Sequence, residues 1–394
     1  MKRKLLGGLA GLLALAVIGF FVFAPGMAER SMNAIDGEPL PPVSDEARAL
    51  HASLTVVDLH SDTLLWQRDL LDHADRGHMD LPRLQAGNVA LQVFSSVTKS
   101  PAGLNYDRNS AHARDNITLL AVGQLQPVRT WSSLLERTLW HAQKLAQAAQ
   151  QSDGTLFRVT DGADLAHVTT ARSTGENVTG AMLSVEGLHD LEGQLANLPR
   201  LHDAGVRMAG LTHFFDNELA GSMHGEAKGG LTPMGREAVR QMEDMGVIVD
   251  IAHCSRQCVA EVLAMARRPV VSSHGGVQAT CDANRNLSDE EIRGVAATGG
   301  IIGIGYWDGA VCSTSPAAVA EAMLHVRDLV GIAHVALGSD FDGSVTVRFD
   351  TSQLVQVTQA LIDQGFTEDE IRAAMGGNAL RVIGAGIVPM SEAA

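Results

Sequence analysis

Short apolar runs recur along the chain, and each gives way to a polar residue. They cover residues 55–59, 88–94, 181–185, 206–211, 247–251, 269–272, 300–305 and 335–337. Between most of them lie helical patterns, as over 232–245, 256–266 and 315–330, with Gly246 and Gly331 placed to close two of these helices. Nearly continuous apolar strands separated by helices predict a parallel sheet covered on both faces. Eight such units predict an α/β fold of the (β/α)₈ barrel type. A doubly wound open sheet is the alternative. It requires a glycine-rich phosphate loop after the first strand, where this chain has His60-Ser61-Asp62. Residues 99–165 are too long for a simple strand-to-helix connection. Their helical stretch over 131–151 predicts a helical insertion between strands two and three.

The N-terminus follows a different pattern. Lys2, Arg3 and Lys4 precede an apolar run over residues 5–24. A secretory signal has an apolar core of roughly 7–15 residues, and a bilayer span needs about 20. Residues 1–28 therefore read as a signal peptide, with Gly26-Met27-Ala28 as an imperfect cleavage site, or as an uncleaved membrane anchor. Either way the expectation is export, to the periplasm or to the outer side of a membrane. No cysteine follows the run, which argues against a lipid-attached N-terminus. Residues 29–45, with Pro41 and Pro42 and no periodicity, are expected to be a linker. Residues 46–390 are expected to form the barrel.

Composition narrows the function. The 394 residues carry a net charge of −15, and −18 once the three N-terminal cations are set aside. Phosphate binding needs clustered Lys and Arg, so nucleic acid is a poor partner for this chain. Aromatic residues at 4% leave little for base stacking. Four cysteines are too few for a disulfide scaffold at this size. Cys254, Cys258, Cys281 and Cys312 read as small core residues. Export permits disulfides, but the sequence does not assign a pairing.

The candidate chemistry lies at the C-terminal ends of the strands, where this fold places active sites. Those ends carry His60 and Asp62, Glu186, His213, His253, His274 and Asp340. A lone histidine there is more often structural. Four of them, with two Asp and a Glu, fit metal chemistry better. His60 and Asp62, two apart on an extended segment, face the same side and can share a cation. Imidazole and carboxylate donors suit Zn²⁺. His253 and His274, from neighbouring strands, offer a second site, and Glu186 is the candidate bridge between metals roughly 3.5–4 Å apart. No Lys stands at the end of strand four, so a carbamylated lysine bridge is not expected.

Several of these segments carry a family resemblance. They are Val57-Asp58-Leu59-His60-Ser61-Asp62, Ser184-Val185-Glu186-Gly187, Leu211-Thr212-His213, Asp250-Ile251-Ala252-His253-Cys254-Ser255, Ser273-His274, Asn284-Arg285-Asn286 and Gly338-Ser339-Asp340-Phe341-Asp342-Gly343. In order and spacing the chain resembles the membrane (renal) dipeptidase family of the amidohydrolase superfamily, including its bacterial members. The resemblance implies a binuclear zinc site, with His60 and Asp62 on one Zn²⁺, His253 and His274 on the other, and Glu186 bridging. It implies hydrolysis of dipeptides with a free C-terminal carboxylate by a metal-bridging hydroxide. His213 would stabilise the oxyanion, and Arg285 would hold the carboxylate. Asp340 would act as base and then as acid. Asp342 competes for that role but reads better as loop support. Tyr306 is expected to line the substrate pocket. The resemblance leaves a homodimer open and a membrane contact only through the N-terminal segment.

Two other readings are kept. An N-acyl-amino-acid hydrolase or lactonase would use the same attack on another acyl substrate. A non-catalytic exported binding protein on a barrel scaffold would be expected to lose a ligand, and none is lost here.

Overall fold

A computed structural model of the chain describes residues 2–390. Eight parallel strands form its centre: β1 (Val56–Ser61), β2 (Val89–Val97), β3 (Thr179–Glu186), β4 (Val206–Gly210), β5 (Ile248–Asp250), β6 (Val271–Ser272), β7 (Ile301–Ile304) and β8 (Val335–Leu337). Each overlaps an apolar run of the sequence. Neighbours pair in order from β3 round to β8, β8 pairs with β1, and β1 with β2. The ring closes between β2 and β3, from Leu91 opposite Gly180 to Val97 opposite Glu186. Closure excludes the open sheet and establishes the barrel. A short extra strand, Leu156–Arg158, pairs with the start of β3.

One apolar cluster draws on every strand, with Val57, Leu91, Met182, Met208, Ile248, Val271, Ile301 and Ala336 almost fully buried. Barrel interiors are packed in layers of this kind, so the barrel is a core and not a pore. Val382 and Ile383 of the last helix, Asn378–Gly386, join this cluster. A larger cluster packs the outer strand faces against the surrounding helices.

The insertion between β2 and β3 contains two helices, α2 (Asn116–Gly123) and α3 (Leu134–Gln151). Asp115 caps α2 and Ser133 caps α3, each accepting from amides of the first turn. Buried Arg137 of α3 ties the insertion together, donating to Thr98 O (2.5 Å) and Asp115 (2.6 Å).

The N-terminal segment departs from the expected linker. Helix α1 runs over Lys2–Met32, and its Leu15–Met32 stretch is long and apolar enough to cross a membrane by length and composition. Beyond it, Ala34–Ile35 pairs in parallel with Thr346–Val347. Residues 29–36 are thus docked on the barrel. Buried Glu29 is paired there with Arg68 and Arg76, contacts across the chain that the local pattern of residues 29–45 does not show.

Candidate metal centre

The site is built where strands end. Glu186 is the last residue of β3, and His60 lies in β1 with Asp62 just beyond it. His213, His253, His274 and Asp340 follow β4, β5, β6 and β8 by two or three residues. Two of these positions need unusual backbone. His253 has φ 64° and Asp340 φ 58°, the left-handed region that side chains other than glycine rarely adopt. Backbone of this kind costs on the order of 1–3 kcal/mol and concentrates at functional sites. Gly187, at φ 81°, lets the chain turn away from Glu186; a Cβ there would meet His213 N at 2.8 Å.

All seven side chains converge. His253 Nε2 is 2.9 Å and His274 Nε2 3.2 Å from Glu186 Oε1, and the two imidazole nitrogens lie 3.0 Å apart. His60 Nε2 is 3.6 Å from both Asp62 Oδ1 and Glu186 Oε1, and 3.9 Å from Asp340 Oδ1. His213 Nε2 approaches Glu186 Oε2 at 3.5 Å. Ligand atoms about 2.0–2.1 Å from a tetrahedral Zn²⁺ stand roughly 3.3 Å from one another, and these separations bracket that value.

The donor set passes a second test. Buried His60 Nε2 and Asp62 Oδ1 have no hydrogen-bond partner. Orphaned polar atoms in a dry interior are costly, and a cation would satisfy both. Glu186 Oε1 faces His60, His253 and His274 together, and Oε2 faces His213. Three sets are close enough to share an ion: His60, Asp62 and Glu186; His60, His274 and Asp340; and Glu186, His213 and His253. His213 is therefore close enough to compete as a ligand.

The metal-free electrostatics show how tightly the charges are coupled. Burial opposes the charge on His60, but Glu186, Asp62 and Asp340 outweigh it and lift its pKa to about 10. Burial, then Glu186, push Asp62 up to about 7. Burial also raises Asp340 well above the carboxylate range, with Asp62 and Glu186 adding to it. Burial works against the charge of Glu186, yet the surrounding imidazoles hold it well below its usual value. Burial holds His253 and His274 neutral, the form in which imidazole binds metal.

A supporting layer fixes these side chains. Asp58 accepts from His60 N (3.0 Å) and from Ser339 N and Oγ (3.1 Å each). It thereby ties β1 to the loop carrying Asp340. Asp250 does the same between β5 and β6, accepting from Ala252 N and Ser273 N at 3.0 Å. His213 Nδ1 lies 3.0 Å from Lys99 O, which can only accept. Nε2 of a neutral ring is then bare, and it donates only when His213 is an imidazolium. Asp342 is fully buried and committed elsewhere: Thr63 Oγ1 (2.7 Å), His78 N (2.6 Å) and the Arg68 guanidinium all donate to it.

A cavity of about 750 Å³ opens over these groups, lined by Asp62, Glu186, His213, His253, Arg285 and Asp340. Arg285 stacks on Trp307, 4.6 Å from its ring centre, and its buried Nε lacks a partner. Among the described residues no carboxylate pairs with it. Tyr306 is placed otherwise than expected. It is fully buried against Phe341 and Phe349, outside the cavity lining. Successive residues of an extended segment face opposite ways, so Trp307, one position on, takes the side facing Arg285. Tyr106, which no motif marked, lines the cavity and accepts from Trp307 Nε1 at 3.0 Å.

Cys281 and Cys312 form a disulfide, while Cys254 and Cys258 are free and buried. The core reading thus holds for one pair only. The bridged cysteines lie 31 residues apart, a separation that gives no spacing signal.

Comparison with known proteins adds a second line. Residues 44–387 match the family described as membrane dipeptidase, peptidase family M19. Dipeptidase aclJ of Aspergillus oryzae is 30% identical over 356 residues, covering 84% of this chain and 77% of that protein. The probable dipeptidase PvdM of Pseudomonas aeruginosa has a similar structure (TM-score 0.71, 20% identity, 87% of this chain and 98% of that one). So does a metallo peptidase from Rhodobacter sphaeroides, solved with a phosphinate mimic of the dipeptide L-Ala-D-Ala (TM-score 0.68, 21% identity, 84% and 99%). At these identities the structures speak to the fold.

Proposed function

The chain belongs to the membrane dipeptidase family, peptidase family M19, and is a metal-dependent dipeptidase; from that premise we propose that it uses two Zn²⁺ and cleaves dipeptides with a free C-terminal carboxylate outside the cytoplasm. The observation that carries the proposal is Glu186 Oε1 lying within 3.6 Å of His60, His253 and His274, with unpartnered buried donors around it. His60 and Asp62 would hold one ion and His253 and His274 the other, with Glu186 shared. When bound, the ions supply Lewis-acid polarisation of a carbonyl and bring the pKa of water to roughly 7.

The remaining work falls to the chain's own side chains. Arg285 would take the substrate carboxylate in a two-pronged contact, its guanidinium held over the Trp307 ring. With Arg285 and Glu186 lining the same cavity, the scissile amide would then lie over Glu186. His213, as imidazolium, would donate from Nε2 to the oxygen where negative charge develops. Asp340 would accept the proton released by water and pass it to the leaving nitrogen. The balance is one water consumed, one carboxylate formed and one amine released. The Cys281–Cys312 disulfide supports an oxidising compartment, and the apolar helix α1 supports export.

Asp340→Asn tests the assignment of the proton carrier. It removes the shuttle and preserves the shape, so both metals should remain while kcat falls about 10²–10⁴-fold. Near wild-type turnover with both metals bound would refute it.

A further inference from the structure

The cavity over the metal centre has a wall from outside the barrel. Phe20, Ala24, Ala28 and Met32 of α1 all line it. These positions are four apart and so form a single stripe along the helix. Ala24 and Ala28 are half-buried, while Phe20 and Met32 at the two ends of the stripe stay 54% and 45% exposed, as do Val22, Phe23 and Met27 off it. Lining the cavity with the stripe are Leu65 and Val345, from the loops after β1 and β8, Val97, the last residue of β2, and Ile117 of α2.

The helix is held in place by charge. Glu29 is 1% exposed, and its carboxylate accepts from Arg68 Nε (2.6 Å) and Arg76 Nε (2.7 Å). Arg68 also donates to Asp342, two residues from Asp340. Asn33 Oδ1 accepts from Ser344 N at 2.9 Å, on the same loop. The end of α1 is thereby tied to the loop that carries Asp340.

The ring order gives the cavity a direction. Arg285 follows β6, and in a closed ring of eight strands β2 lies opposite β6. The apolar wall stands over β8, β1 and β2. A substrate with its carboxylate on Arg285 and its amide over Glu186 points its acyl end at this wall. The cavity of about 750 Å³ is in the range of sites for drug-sized ligands, roughly 300–1,000 Å³.

We propose that α1 stays in the working enzyme as a wall of the substrate cavity, and that Phe20, Ala24, Ala28 and Met32 select substrates carrying a long apolar chain on the acyl side of the scissile bond. The proposal rests on the dipeptidase reading above. The shared chemistry is an alkyl chain, either as the acyl group of an N-acyl amino acid or on the amine of an N-acylated dipeptide. Hydrolysis consumes one water, breaks the amide C–N bond, leaves the chain on the new carboxylate and releases the C-terminal residue as an amine.

The test uses the full zinc-loaded chain in phospholipid nanodiscs, with N-acyl amino acids and N-acyl dipeptides of acyl length two to twelve carbons in separate arms. Specificity, as kcat/KM, should rise about three- to fourfold per methylene until the wall is filled. The arm with the steeper rise identifies the source of the chain. Ala24→Asp should lower the long-to-short ratio more than tenfold, and Ala24→Leu should move the optimum to shorter chains. A flat profile alongside intact turnover of plain dipeptides would overturn this proposal alone. Intact mass showing cleavage after Ala28 would overturn it too, because most of the stripe would be gone. Absence of turnover on every substrate would bring down the dipeptidase reading and this proposal together.

Discussion

Asp250 governs His274 through one hydroxyl. Ser273 Oγ donates to Asp250 Oδ2 at 2.5 Å and lies 2.9 Å from His274 Nδ1. The relay fixes the ring so that Nε2 faces Glu186 at 3.2 Å. Partners of this kind set the orientation and basicity of a metal-binding imidazole. Asp250→Asn should keep the fold and weaken metal affinity about 10–100-fold, read by chelator competition. Unchanged affinity would show that packing alone holds the ring.

The disulfide serves the substrate site. Cys281 lies just before Arg285, and Cys312 ends the short helix after Trp307. The bridge thus staples the guanidinium's loop to the loop of the ring it stacks on. Replacing both cysteines with Ala should raise KM more than it lowers kcat. It should also cost about 3–4 kcal/mol of stability for a loop of this length. Steady-state kinetics and denaturant unfolding check the two effects separately.

How much of this was legible in the sequence differs by feature. Strand positions were, because barrel strands are apolar on both faces and break at polar ends. The convergence of the candidate ligands was, because the fold places those ends together. Asp58 and Asp250 sit inside strands, where a carboxylate looks like an interruption; only the backbone amides around them reveal their purpose. Tyr306 and Trp307 differ by one residue, and a one-residue change of parity moves a side chain to the opposite face. The docking of α1 turns on Glu29, whose partners Arg68 and Arg76 lie some forty residues away. Local pattern cannot pair such groups.

His141 in α3 gives the fold a pH dependence apart from the metals. Burial, with Lys144 and Arg137 adding to it, lowers its pKa from 6.5 to about 3. Its folded value lies below its unfolded one, so the stability it confers is complete above pH 6.5. That stability is lost as pH falls toward 3, because the unfolded chain takes up the proton first. His141→Gln should remove this part of the acid sensitivity. Wild-type minus variant stability, from denaturant melts between pH 7 and 4, should fall with acidification. A flat difference would mean that His141 is already charged in the folded protein.

The central claim is that two zinc ions held around Glu186 make this chain a dipeptidase. The most direct measurement is metal content per chain alongside dipeptide turnover, before chelation, after it, and after zinc is restored. The account predicts two equivalents of metal, loss of turnover on their removal and recovery on adding zinc. Turnover that survives thorough metal removal would contradict it.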